Sequence, residues 1–297
     1  MDIFTHAVAI LVILFATGNA AFIPFGVLGA VIIDIDMAYF LISRRVPSLY
    51  LFFHGGFTHS IAGATILSGI AFGTALVLSS AGSLPETIPA GILLPAFACV
   101  LAGAWLHLFL DYLASPGLPL LYPLTEKRFG LSLFPMPVYL LITCLGIVSL
   151  AIILLDGLTS GFAIMYGALF SILIIISAGM KWSVHRKTRG RSYPTLHPFQ
   201  WIVIREKNAF YTVLAYDMFR GITRELSYEK YRNITPSEVS RYERLPELRR
   251  HRYFSSITTV EKNGSEITFH DPVREEGLIS FPPWYPSVTL RSDQAAS

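Results

Sequence analysis

Residues 91–113 form the run GILLPAFACVLAGAWLHLFLDYL, in which the only charged or imidazole side chains are His107 and Asp111. A helix of this length is about 34 Å long, enough to cross the hydrocarbon core of a bilayer. His107 and Asp111 are four residues apart, so they share one face near the end of the helix. The run therefore predicts a transmembrane helix that carries a polar pair at one end.

Five further apolar runs lie near residues 4–17, 21–42, 60–79, 137–155 and 161–180. The first of them is short for a span. The whole chain of 297 residues is 53% hydrophobic and only 14% charged, which argues against an ordinary soluble domain. The fold class predicted is an α-helical integral membrane bundle of about six transmembrane helices.

Charge divides the chain into two parts. Residues 1–180 hold four of the 23 Lys and Arg, and residues 181–297 hold the other 19. The sequence predicts a transmembrane domain over 1–180 and a C-terminal domain over 181–297. The connections with Arg44, Arg45, Lys127 and Arg128 alternate with connections that contain only Glu86 and Asp156. By the positive-inside rule we expect a multi-pass inner-membrane protein with both termini in the cytoplasm. The modest basic excess suits anionic lipid headgroups, and no nucleic acid partner is expected.

The tail after Lys181 has the pattern of a small soluble α/β domain that is mostly strand. Residues 201–204 and 210–214 are rich in β-branched and aromatic side chains, which indicates strands. Thr235 and Glu238 form a capping box that predicts a helix towards Arg250. Asn263 and Gly264 predict a hairpin. We expect surface or packing roles for the four scattered histidines of this domain, His185, His197, His251 and His270.

Ionisable residues in the membrane half are few, and they cluster in four segments. On the topology above, the histidines of this half and Asp34, Asp36 and Asp111 all fall near the cytoplasmic ends of their helices. Singly, an Asp-x-Asp pair is typical of a helix cap and a His-x-x-x-Asp pair of a solvated face. Together in a membrane, uncompensated imidazoles and carboxylates would be costly, which favours divalent metal ions, zinc before manganese or iron. The candidate ligands are His6, Asp34, Asp36, His54, His59, His107 and Asp111. Among these, His59 and Asp111 are expected at the catalytic centre, with Asp36 as a general base.

Four strings of the sequence resemble the YdjM-like family, described as inner-membrane-associated, LexA-binding, metal-dependent hydrolases. They are Met1 to His6, Gly29 to Asp36, Gly56 to Ser60, and His107 to Asp111 with Leu121-Tyr122-Pro123. The resemblance implies a helical metal enzyme similar to zinc-dependent phospholipase C and fungal single-strand nucleases. It places His6, Asp34 or Asp36, His59, His107 and Asp111 at the family's motif positions. The family commonly has a basic residue after the histidine at position 54, where this chain has Gly55.

Three functions are compatible with these features. The first is metal-assisted hydrolysis of a phosphoester, a phospholipid or isoprenoid phosphate, at the cytoplasmic face, where membrane lipid is the partner. The second is a membrane scaffold or regulator with a structural metal, whose C-terminal domain binds a protein partner. The third is a metal or anion transporter, which the apolar centres of the predicted helices disfavour.

Overall fold

The computed structural model describes residues 1–38, 40–83, 88–279 and 285–293, so Glu86 lies outside the described residues. They form two compact units. The first unit comprises Met1–Ile42 and Leu51–Ser177, and the second comprises Ser43–Tyr50 and Ala178–Ser297. The first unit is helical and the second is mostly strand.

Seven helices precede the strands. They are α1 Ile3–Ala16, α2 Ile23–Ile32, α3 Phe40–Arg45, α4 Ile61–Ser80, α5 Leu93–Leu113, α6 Met136–Asp156 and α7 Ser160–Thr188. Short 3₁₀ turns extend α2 and α5 to apolar runs over Ala20–Ala38 and Ala90–Leu113. With α4, α6 and α7, these two runs are the five helices in the described residues that are long and apolar enough to cross a membrane.

The sequence predicts about six spanning helices, and five in the described residues meet this criterion of length and composition. The number of helices that cross a membrane stays a prediction. Helix α1 has 14 residues, about 21 Å, which is shorter than the hydrocarbon core. It packs against α2, α5 and α6, and most of its residues between Thr5 and Val12 are buried. Large apolar side chains on other helices are exposed, among them Leu94, Leu154, Leu155 and Ile164. This pattern suits a bundle whose outer surface faces lipid.

Two glycines let α2 and α5 approach closely. A Cβ atom on Gly29 would overlap the backbone of Val100, and one on Gly103 would overlap the carbonyl oxygen of Gly26. Small residues allow such close contact between membrane helices. Gly69 and Gly73 of α4 lie on an open face, because no neighbouring atom in the described residues lies within 4 Å of a Cβ built on them.

The second unit contains two four-stranded sheets. The first sheet has the order β1 Arg191–Pro194, β2 Gln200–Glu206, β3 Phe210–Asp217 and β4 Gly221–Glu229, all antiparallel. The second sheet has the order β5 Tyr231–Arg232, β6 Thr259–Asn263, β7 Glu266–His270 and β8 Ser287–Arg291, with β5 and β6 parallel. Apolar clusters line each sheet, one around Trp201 and another around Phe269. The predicted strands and the predominance of strand in this domain are confirmed.

The predicted helix from Pro236 towards Arg250 is wrong in one respect. The capping box between Thr235 and Glu238 is present, but α8 ends at Val239 after four residues. Helix α9 begins at Pro246 and ends at Phe254, and Pro272–Glu275 form the last short helix, α10. The break has a local cause, because the proline ring keeps Leu245 extended and prevents a continuous helix. The hairpin is confirmed, with Gly264 at positive φ in its two-residue turn.

The short connection Ser43–Tyr50 belongs to the second unit. The Tyr50 ring lies 5.4 Å from the Tyr253 ring, and the Arg249 guanidinium lies 5.7 Å from the Tyr50 ring centre. Because these contacts join the connection after α3 to the C-terminal domain, both must lie on one side of a membrane. The grouping of these segments from their positive charges agrees with this contact.

Candidate metal centre

The seven predicted ligands lie at one end of the helical unit. His6 is in the second turn of α1, and Asp34 and Asp36 follow α2. His54 and His59 precede α4, and His107 and Asp111 end α5. The imidazoles of His6, His59 and His107 are fully buried, whereas the side chain of His54 is 37% exposed. Four separate segments thus contribute to one cluster with one partly open side.

A change of helix type after α2 positions the two aspartates. Residues Ile33–Ala38 form a 3₁₀ helix, within which both Asp34 and Asp36 are buried. Two residues apart, side chains differ in direction by about 160° on an α-helix and by about 120° on a 3₁₀ helix. The tighter turn therefore brings both carboxylates towards the same cluster.

Four ligand atoms form a compact set. His59 Nε2 lies 3.3 Å from His107 Nε2 and 3.4 Å from Asp34 Oδ1. His107 Nε2 lies 3.5 Å from Asp34 Oδ1 and 3.4 Å from Asp111 Oδ2, which is 3.5 Å from His59 Nε2. Tetrahedral zinc with nitrogen and oxygen ligands requires ligand separations of about 3.3–3.6 Å. The five measured distances fit that requirement.

In the two central imidazoles, His59 and His107, the contacts of Nδ1 leave Nε2 available to bind a metal. His107 Nδ1 lies 2.6 Å from the carbonyl oxygen of Ala30, which can only accept, so Nδ1 carries the proton. His59 Nδ1 lies 3.1 Å from Asp36 Oδ2, which also accepts. In the neutral rings both Nε2 atoms are then lone-pair donors, and they face each other and two carboxylate oxygens. A cation between them would compensate this arrangement.

Several buried atoms of the cluster form no hydrogen bond, although Asp111 Oδ1 has an ion pair with the Met1 amino group. They include His6 Nδ1, His6 Nε2, Asp34 Oδ1 and Asp111 Oδ1. The His6 ring stacks on the His107 ring at 3.7 Å, with His6 Nε2 3.3 Å from Asp111 Oδ1. The amino group of Met1 also contacts Asp111. Unsatisfied buried polar atoms are costly, so the donor set fits a divalent metal. Three groups in the described residues could hold an ion: His6, His107 and Asp111; Asp34, His59 and His107; and Asp36, His54 and His59.

Asp36 is the most fully hydrogen-bonded carboxylate of the cluster. Its Oδ1 is 2.8 Å from His54 Nδ1, and its Oδ2 accepts from the Thr58 hydroxyl at 2.6 Å and from the Gly55 N–H at 3.2 Å. Gly55 has a φ of +78°, a conformation that glycine adopts readily. The Gly55-Gly56 turn brings the centres of the His54 and His59 rings to 5.1 Å. Asp36 thereby holds two imidazoles in place.

Two polar residues have roles that single-residue reasoning did not assign. Thr58 lies in the Gly56 to Ser60 string, and its hydroxyl joins Asp36 to the His59 segment. Asp2 is the N-cap of α1, accepting from the Thr5 N–H at 3.0 Å, and it also accepts from the Thr143 hydroxyl at 2.9 Å. Among the tail histidines, His251 contacts the carbonyl of Tyr285, and His270 pairs with a glutamate of its own domain.

A basic group from another part of the chain lies beside the Gly55-Gly56 turn, where the residue that follows His54 is not basic. A Cβ atom built on Gly55 would be 3.8 Å from Arg128 Nη2. Arg128 comes from the connection between α5 and α6, and its Nε and Nη2 donate to the carbonyl oxygen of Gly117 at 3.0 and 2.8 Å. The position that follows His54 in the sequence is uncharged, but a guanidinium from another segment lies next to it.

Comparison with known proteins places most of the chain in one family. Residues 1–184 match the family model described as YdjM inner membrane protein, which confirms the resemblance seen in the four strings. The match ends within α7. No curated protein and no solved structure matches the chain.

Proposed function

The chain belongs to the YdjM inner membrane protein family, and from this premise we propose that it is a membrane-bound, metal-dependent hydrolase of phosphoesters. The observation that carries the proposal is that His59 Nε2 and His107 Nε2 lie 3.3 Å apart, and each lies 3.4–3.5 Å from a carboxylate oxygen of Asp34 and of Asp111. These residues would hold zinc, with His6 extending the site towards a second ion. A divalent metal bound here would supply an activated water and stabilise negative charge on phosphoryl oxygens.

The residues around the ligands have distinct roles in this proposal. Asp36 is surrounded by hydrogen-bond donors, which favours a positioning role over that of a general base. It orients His59 and, through Nδ1, His54. Because His54 is partly exposed, its remaining nitrogen is the group that exchanges a proton with substrate or water. An Asp-oriented imidazole at the open side of a buried site suits that task.

Arg128 gives the open side its preference for an anion. Its guanidinium lies beside Gly55, the residue that follows His54 in the sequence. A planar guanidinium pairs well with two phosphoryl oxygens. We assign Arg128 to binding the phosphoryl group of the substrate. A lipid phosphate at the cytoplasmic face is the substrate class that suits a site near the ends of membrane helices.

A second candidate, a structural metal in a scaffold or regulator, has its own supporting observation. His6, His59 and His107 are almost completely inaccessible to solvent, and structural metal sites are closed in this way. In that case the C-terminal domain would carry the function by binding a protein partner. The inaccessible ligands suit both functions, whereas the half-open His54 favours the enzyme.

One experiment separates the two candidates. The full chain is purified, its metal content is measured, and hydrolysis of phosphomonoesters, phosphodiesters and a lipid phosphate is followed. Asp111→Asn should lose both bound metal and hydrolysis, because the amide keeps the shape but not the ligand charge. His270→Gln, a change far from the cluster in sequence, is the matched control. Metal-replete protein that hydrolyses none of these substrates would refute the enzyme and leave the scaffold.

A further inference from the structure

One end of the first sheet carries an exposed apolar tip built from two loops. Leu196 and Phe199 lie between β1 and β2, and Phe219 and Ile222 lie at and just after the turn between β3 and β4. All four side chains are exposed, and Phe219 is 79% exposed. Exposed clusters of large apolar side chains in a soluble domain mark contact surfaces.

The tip is structurally defined. The Met218 N–H donates to the carbonyl oxygen of Phe199 at 3.0 Å, and the rings of Phe199 and Phe219 meet edge to face at 5.1 Å. Asp217 Oδ1 accepts from the N–H groups of Phe219 and Arg220 at 2.9 and 3.1 Å. These contacts hold the two loops together and keep the Phe219 side chain directed outwards.

The contacts between the first sheet and α7 show where the tip lies along the axis of α7. At one end, Arg205 Nε donates to the carbonyl oxygen of Thr188, the last residue of α7, at 2.7 Å. Towards the other end, Met180, Val184 and Met218 belong to or pack against the cluster around Trp201. The sheet therefore runs back along α7, and the tip lies at the end nearer to Met180.

The length of β1 places the tip at the same position along the axis of α7. From Arg191 to Pro194 the strand advances about 10 Å, which corresponds to about seven residues of helix. Counting back from Thr188, Pro194 lies near the level of Lys181, in agreement with the 2.8 Å hydrogen bond from Lys181 Nζ to the carbonyl oxygen of Ser192. Residues 160–180 of α7 contain no charged side chain, so a bilayer that α7 crosses would end near this level.

The distribution of charged residues over the first sheet agrees with this placement of the tip. The tip segments, residues 195–199 and 218–222, contain Arg220 and no acidic residue. At the opposite end of the sheet Glu206 pairs with Arg191 and Lys230. Near the tip level, Trp182 is exposed on α7 with the Arg186 guanidinium 5.5 Å from its ring centre. Exposed aromatics with adjacent cations are typical of membrane interfaces.

We propose that the tip formed by Leu196, Phe199, Phe219 and Ile222 inserts into the interface of the bilayer that α7 crosses, with anionic lipid headgroups around Arg220. The occupant of this surface is lipid, and the tip fixes the depth of the first sheet against the membrane. The proposal does not depend on whether the metal centre is catalytic.

The test uses the full chain in vesicles of zwitterionic and anionic phospholipid, with Cys99 and Cys144 changed to serine. A nitroxide is attached at Leu196→Cys, which keeps both phenylalanines, and as a matched control at Asn208→Cys in the β2–β3 turn at the other end of the sheet. Collision of each nitroxide with oxygen, which concentrates in lipid, and with a water-soluble nickel chelate is then measured. We expect the ratio of oxygen to nickel collisions to be several-fold higher at position 196.

Adding Phe219→Glu to the Leu196→Cys protein should lower this ratio towards the value at position 208, because a carboxylate resists the interface. Equal ratios at the two positions in the unaltered background would overturn the proposal by placing the tip in water. A label at 196 that neither reagent reaches would also overturn it, since a protein or a second copy would then cover the tip.

Discussion

A single methyl group added to a residue that is not a ligand should disturb the metal centre. Gly103 of α5 lies against α2, and a Cβ atom there would be 2.9 Å from the backbone nitrogen of Ala30 and would overlap the carbonyl oxygen of Gly26. Restoring an ordinary carbon–oxygen contact requires the helices to separate by about 1 Å. The bond from His107 Nδ1 to the Ala30 carbonyl, now 2.6 Å, lies one turn away across the same interface.

Separation by that amount would stretch this hydrogen bond beyond the usual limit of about 3.2 Å. His107 would lose the contact that sets its orientation, and loss of such a contact typically weakens metal binding by about 10- to 100-fold. We therefore expect Gly103→Ala to lower metal affinity, measured by competition with a chelator on purified full chain. Gly73→Ala in α4, where nothing lies within 4 Å, is the control. Unchanged affinity in a folded Gly103→Ala protein would refute the link between helix spacing and the site.

Three further outcomes are expected from other parts of the structure. Arg128→Gln should raise KM for a phosphoester several-fold, with metal content and kcat nearly unchanged. Lys127→Gln should leave KM, kcat and metal content unchanged. Equal effects of the two substitutions on KM would exclude a specific phosphoryl contact. Burial lowers the pKa of His251 to about 4, so stability of the strand domain should be complete above pH 6.5 and fall by up to about 3 kcal/mol towards pH 4. Hydrogen exchange of the strands in the full chain would measure this, and His251→Gln should remove it. Cysteines at Ser83 and Asn208 should be labelled from opposite sides of the membrane, and labelling from the same side would overturn the topology.

The sequence was sufficient for the features that depend on local composition. Apolar runs of about 20 residues can be satisfied only as helices in a bilayer, so the helical membrane unit was predictable. Runs of β-branched and aromatic residues were enough for the strands around Trp201, and turn residues were enough for the Gly264 hairpin. The inventory of the site was also predictable, because ionisable side chains are rare in membrane helices and their positions stand out.

Tertiary structure decided what depends on distances between segments. The helix length of α1 could be counted, but its burial among α2, α5 and α6 could not. The pairing of Asp36 with His54 and Thr58 arises from a 3₁₀ turn and a glycine turn, neither of which has a periodic signal. Arg128 and Gly55 are distant in sequence and meet only because separate connections fold over the same end of the helices.

The sequence by itself therefore determined which residues could form a metal centre and that they belong at one end of a membrane bundle. Only the folded chain decided which atoms face one another. The physical reason is that hydrophobic burial acts on whole segments and is written in composition, whereas the direction of an imidazole or carboxylate depends on hydrogen bonds to particular partners. For His107 and His59, those partners are Ala30 and Asp36, which lie many residues away.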